Sequence, residues 1–186
     1  QWRGTGDLRE LQAVDLDQAV ALGAAYYGLA RQGRGIRIRA GTSRTYYIGV
    51  ESAMPAVPGI PTPVNALCVA PFGMEEGAEA EMRAREFGLV VGQPAIFQLL
   101  GSTTRKNDQA GEMVEDWGDE LQEVALMETQ LPATDLEEGG SLLPVWLQSK
   151  VTEIGTLELW CVARDNDARR WKLEFNIREG APAEAI

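Results

Sequence analysis

The chain has no histidine, and its 186 residues include only two cysteines. Zinc sites and His-assisted nucleophiles draw on those residue types, so both chemistries are nearly excluded. Cys68 and Cys161 sit in apolar, strand-like runs, "ALCVAP" and "LELWCVA", with no CxxC spacing. Two buried free thiols in a reducing cytoplasm are the expectation. No apolar run approaches the roughly 18 residues that a membrane span needs. The opening "QWRGTGDLRE" lacks both the basic start and the apolar stretch of a secretory signal. Beginning at Gln rather than Met points to an excised fragment or a processed product.

Positive charge is missing from one long stretch. Between Lys106 and Lys150 there is no Lys or Arg, while eleven acids from Asp108 to Glu138 carry the whole net charge of −11. The rest of the chain balances at 17 acids against 17 bases. Such a chain lacks the basic field that phosphate neutralisation requires, which argues against a nucleic-acid partner. Calcium needs oxygen ligands at fixed offsets, and "EDWGDE" supplies acids and a Gly without EF-hand spacing. The acidic stretch therefore reads as solvated loops and strand faces, with no metal expected. Catalytic signatures are absent too: there is no GxSxG and no GxxxxGK[ST]. "GRGIRIRAG" is not framed by a strand and a helix, and "GSTTRK" (101–106) lies at a strand end with no helix after it, so neither reads as a phosphate site. The chain reads as a non-enzyme.

What is present is one helix and many strands. "DLDQAVALGAAYYGLARQG" (15–33) has the form of a capping box in Asp15 and Gln18, and Gly33 suits a left-handed stop. Gly23 and Gly28 each cost such a helix about 1 kcal/mol relative to Ala. Together with Ala21, Ala24 and Ala25 they allow close backbone approach. Val20, Leu22, Tyr26, Tyr27 and Leu29 leave little of the surface polar, as for a helix lying between partners.

After Gly35 the period changes to two. Strand-length runs bounded by Gly, Pro, Asn or Asp occupy 44–51, 66–71, 86–92, 95–101, 123–131, 143–153, 156–164 and 170–178. Trp171, Leu173, Phe175 and Ile177 share one face of the last run, and short turns make the final three an antiparallel meander. About eight sequential strands without crossover helices imply a mainly β fold, an antiparallel β-sandwich with one N-terminal helix. "MPAVPGIPTPVNA" (54–66) reads as a long excursion between strands. "GMEEGAEAEMRARE" (73–86) reads as a loop in preference to a short amphipathic helix, because Gly77 and "GMEEG" interrupt it.

Three blocks, in order, carry a family resemblance. "DLDQAVALGAA" (15–25) resembles the last ATPase-domain helix of the DnaK-type heat-shock chaperones, Asn-Pro-Asp-Glu-Ala-Val-Ala-x-Gly-Ala-Ala. "YYIGVES" (46–52) is similar to the family's Leu-Ser-Leu-Gly-Ile-Glu-Thr, in the first long strands of its peptide-binding domain. "TEIGTLELWCVARDNDARRWKLEFNI" (152–177) is similar to the closing meander of that domain. The departures are large: "RGIRIRAG" replaces the acidic, Leu-rich linker, the Pro-rich excursion expands a short loop, and "GMEEGAEAE" and "EMVEDWGDELQEV" differ from the family pattern.

The resemblance implies three regions: a tail and an orphan helix belonging to a missing ATPase domain (1–33), a β-sandwich (34–179) and a C-terminal tail (180–186). It implies a substrate-binding domain that holds an extended apolar segment of unfolded polypeptide. The channel would be lined by Val50, Ala53 and Met54 from one strand and its exit, and by Phe87 and Val90 from another. Plain core packing explains the same residues equally simply. ATP would belong to the missing domain, leaving this chain without a cofactor. Its partners would be polypeptide, the ATPase domain of the same protein, or a second copy through the helix, with no membrane and a cytoplasmic location. Two other functions remain open: a scaffold or regulatory sandwich with a blocked channel, and a carbohydrate-binding module. The last needs an exposed aromatic platform, for which Trp117, Trp146 and Trp160 are the candidates, although the latter two read as sheet packing.

Overall fold

The computed structural model describes residues 16–34, 41–52, 62–133 and 141–177. Contacts divide the chain into two units, 1–39 and 40–186.

The first unit contains a 3-10 turn, Leu16–Gln18, followed by α1, Ala19–Arg31. Gly33 takes φ +76°, and the Gly33 and Arg34 amides donate to the Ala30 and Leu29 carbonyls at 3.1 and 3.0 Å. This is the left-handed stop expected there. Gln18 makes no side-chain cap bond, and Asp15 lies outside the described residues. The expected capping box rests on that residue and so falls outside them too; Gln18 itself has helical backbone angles, φ −100° and ψ −6°, as the third residue of such a box does. Val20, Leu22, Tyr26, Tyr27 and Leu29 are exposed.

The second unit is mainly β, as the alternation implies, with nine strands among the described residues: β1 Thr45–Glu51, β2 Val64–Ala70, β3 Glu79–Val91, β4 Pro94–Ser102, β5 Met113–Val114, β6 Gln122–Gln130, β7 Ser141–Val151, β8 Thr156–Ala163 and β9 Arg170–Asn176. They form two antiparallel sheets. Sheet 1 has the order β5-β2-β1-β4-β6, and sheet 2 the order β3-β7-β8-β9. The closing meander β7-β8-β9 is therefore present.

Two elements depart from the sequence reading. β5 has only two residues, too few to show a period. Residues 79–86, expected as a loop, are the first half of β3. Glu79, Ala80, Glu81 and Met82 pair with Lys150, Ser149, Gln148 and Leu147 of β7. A distant strand with its own inward apolar row supplies the ladder, and that pairing overrides a polar, Ala-rich local composition. The register then slips between Met82 and Phe87, and Arg83 to Glu86 are all exposed.

The core lies between the sheets. Tyr46, Ile48, Leu67, Val69 and Leu99 of sheet 1 meet Leu89, Val91, Val145, Leu147, Leu157, Leu159 and Phe175 of sheet 2. A second, smaller core covers part of the outer face of sheet 1: Tyr47, Ala66, Cys68 and Leu100 are roofed by Val114, Leu121 and Trp117 from the 103–121 excursion. Strands apolar on both faces, such as "ALCVA", are accounted for by these two layers.

Candidate functional site

One end of the sandwich gathers the end of β1, the start of β2, the β3–β4 turn, the end of β6 and the start of β7, as the antiparallel registers require. The β3–β4 turn crosses from one sheet to the other in two residues, Gly92 and Gln93. Gly92 has φ +77°, a left-handed conformation that a side chain disfavours. Its amide donates to the Leu131 carbonyl at 2.8 Å, and its carbonyl accepts from Gln130 Nε2 at 2.8 Å. The Ser52 amide donates to the Pro63 carbonyl at 2.8 Å, closing the base of the β1–β2 connection.

Within this frame the sequence-selected residues separate. Val50 on β1 and Phe87 on β3 are both half-buried, and they pack against the same core cluster from opposite sheets. Val90 does not join them. Phe87, Leu89 and Val91 face inward, so Val90 falls on the other side of β3, level with the exposed Leu142. Ala53 and Met54 lie outside the described residues. At the opposite end of the sandwich, an open cleft of about 280 Å³ is lined by Thr42, Ser43, Tyr46, Glu76, Thr152 and Ile177. The Tyr46 hydroxyl donates to the Ile177 carbonyl there, at 3.3 Å.

The three candidate tryptophans are all engaged by their own chain. Trp146 is buried on the outer face of sheet 2, with the Arg83 guanidinium 3.7 Å from its ring centre. Trp160 has Arg170 at 4.7 Å and Lys172 at 5.8 Å. Trp117 packs on the second core and donates its indole N–H to the Val64 carbonyl at 3.0 Å. None of the three offers the bare aromatic platform that sugar stacking needs.

Composition gave no hint of a buried polar cluster under the excursion. The Tyr47 hydroxyl donates to Asp108 Oδ2 at 2.8 Å, and Arg105 Nε donates to the same oxygen at 2.7 Å. Arg105 Nη1 reaches Glu120 at 2.6 Å, and the Thr45 hydroxyl donates to the Arg105 carbonyl. Asp108 is thus a buried exception within an otherwise solvated acidic stretch. Burial, reinforced by the Asp108 carboxylate, pushes the Tyr47 phenol well above its usual range. The hydrogen bonds to Asp108 and Glu120 push the Arg105 guanidinium up as well. Every charge in the cluster has an opposite partner and Tyr47 stays protonated, so the cluster pins the excursion and offers no poised acid or base.

Both cysteines are free and buried. Burial raises the Cys161 thiol to about 12. Burial, then the carboxylates of Asp108 and Glu112, raises Cys68 to about 12. Among the described residues no group of three potential metal-ligating side chains comes together, and no helix is long and apolar enough to cross a membrane. No protein-family model and no curated protein sequence matches the chain.

Proposed function

We propose that the sandwich holds extended polypeptide, as the substrate-binding domain of a divergent DnaK-type chaperone, with Val50 and Phe87 flanking the peptide channel. The reading is supported by the order of three sequence blocks that fall on α1, β1 and the β8–β9 meander. One observation carries it: β1, the strand bearing "YYIGVES", lies inside sheet 1, and its Val50 stays only half-buried where the strand runs out. Extended recognition would take affinity from main-chain bonds and preference from one apolar pocket. Nucleotide chemistry would belong to an ATPase domain of the same protein, the natural cover for the exposed apolar residues of α1. The buried thiols would suit a reducing cytoplasm.

Calorimetric titration with an extended Leu-rich peptide, beside a glycan panel, tests the proposal. Wild type should bind the peptide, and Val50→Phe should weaken it, because added carbons strain a filled space by about 1–3 kcal/mol. An unchanged affinity in Val50→Phe, or no binding by wild type, overturns the channel. The packing of both Val50 and Phe87 against the core favours the second reading, a scaffold whose channel is filled. In that case Val50→Phe lowers the melting temperature and leaves no binding to lose.

A further inference from the structure

An open sheet leaves unpaired main-chain groups along its edge strands, and natural chains blunt them with shortness, Lys, Pro or irregular register. Four edges end the two sheets. β5 is two residues long. β3 loses register between Met82 and Phe87 and carries Arg83 and Arg85 in the interval. β9 carries Arg170 and Lys172. β6 has none of these devices over most of its length. Its nine residues include no Lys, Arg or Pro, and its one register shift, between Glu123 and Ala125, leaves Ala125–Gln130 regular. Among the described residues no backbone outside β4 pairs with it.

The surface beside this edge has a definite chemistry. Leu126 is 51% exposed, and Ile96 on the neighbouring strand is 64% exposed. The register puts both on the outer face with Glu123 and Glu128, the former accepting from Gln98 Nε2 at 2.8 Å. No strand of sheet 1 contains a Lys or Arg. The arginine of the adjoining excursion, Arg105, is held by Asp108 and Glu120.

We propose that β6 accepts an extended, basic polypeptide segment as an added antiparallel strand, with Lys or Arg beside Glu123 and Glu128 and an apolar residue on Leu126. Charge selects this occupant over a second copy of the chain. A second copy would bring only the same base-free strand, since β6 contains no Lys or Arg, and self-pairing would leave Glu123 and Glu128 without an opposite charge across the seam. The site is independent of the channel proposed above, since Val50 lies on β1 and packs inward.

The probe is the acetylated, amidated peptide Thr-Lys-Thr-Val-Thr-Lys-Thr, titrated into the full chain. Strand addition uses only alternate peptide amides. Of two forms N-methylated on the Thr set or on the Lys/Val set, one should therefore lose at least about tenfold in affinity while the other keeps it. The double variant Glu123→Lys with Glu128→Lys, both exposed positions, should lose about tenfold, by reversing two cross-strand pairs. Hydrogen exchange of the β6 amides should slow on binding, and Val50→Phe should leave all of this unchanged. The proposal is overturned by equal binding of the two methylated forms, by an unaltered affinity in the double variant, by no binding at all, or by a dimer in sedimentation that the double variant abolishes.

Discussion

The two sheets finish their outer faces in different ways. On sheet 2 the cover is made of the strands' own side chains. Arg83 lies over Trp146 and Arg170 over Trp160, with Lys150–Glu79 at 2.7 Å and Lys172–Glu174 at 2.8 Å across and along the ladder. Exposed ion pairs of this sort contribute little stability, so that face is solubilised rather than cemented. On sheet 1 the strands put Tyr47, Cys68 and Leu100 outward, and the chain must return through 103–121 to bury them. A face covered by charged side chains needs no other segment. A face covered by an excursion depends on contacts far apart in sequence, here Tyr47 with Asp108 and Val64 with Trp117.

The largest expected effect separates the two cores by their reach. Leu159 in the main core and Leu100 in the second are both essentially inaccessible. Truncating either to Ala should cost about 2–5 kcal/mol. Leu159→Ala should lower the global melting transition alone. Leu100→Ala should in addition speed amide exchange within 103–121, because the roof loses its floor. Equal exchange of that segment in both variants would show the second core to be an inseparable part of the first.

The same contrast explains what was legible in the sequence. β8 and β9 alternate cleanly because one face is core and the other charged, and their turns are local, so their pairing could be read directly. The first half of β3 could not. "EAEMRARE" turns only Ala80 and Met82 inward, and owes its strand state to β7, about seventy residues away in the chain. Nothing local marks Asp108 as buried among so many solvated acids, since its role rests on Tyr47. At the candidate site, the core-facing character of Val50 and Phe87 follows from period two. The same period could have set Val90 apart, because residues three apart on a regular strand face opposite ways.

A middle-sized effect uses the two thiols as reporters, Cys68 in the second core and Cys161 in the first. Each folded-state thiol is raised to about 12, above the roughly 8.5 of an unfolded one. The folded chain holds these protons more tightly, so their contribution to stability is complete below about pH 8.5 and is lost as the pH rises towards 12. Near pH 8 a folded thiol is therefore almost unreactive, and alkylation measures opening. Asp108→Ala leaves Tyr47 and Arg105 without their shared acceptor, at a cost of about 1–3 kcal/mol. Cys68 should then label faster while Cys161 keeps its wild-type rate. Parallel acceleration of both thiols would mean that the excursion opens only when the whole sandwich does.

The smallest effect lies on sheet 2 and asks whether its cover is packing or charge. Trp146 is only 7% exposed, although the Arg83 side chain above it is 52% exposed. The guanidinium is also tied to Glu81 at 2.9 Å and Asp167 at 3.5 Å, and those carboxylates raise its pKa. A long side chain can shield an aromatic ring through its stem alone. Arg83→Met keeps the stem and removes the charge, whereas Arg83→Ala removes both. With Trp146→Phe as the subtraction, acrylamide quenching of Trp146 should rise in Arg83→Ala and stay near wild type in Arg83→Met, with little change in melting temperature for either. A rise of the same size in both would assign the cover to the guanidinium and its ion pairs. Sheet 2 would then depend on a specific anchored contact, much as sheet 1 depends on Asp108, and the contrast between the two faces would narrow to the length of chain that each one recruits.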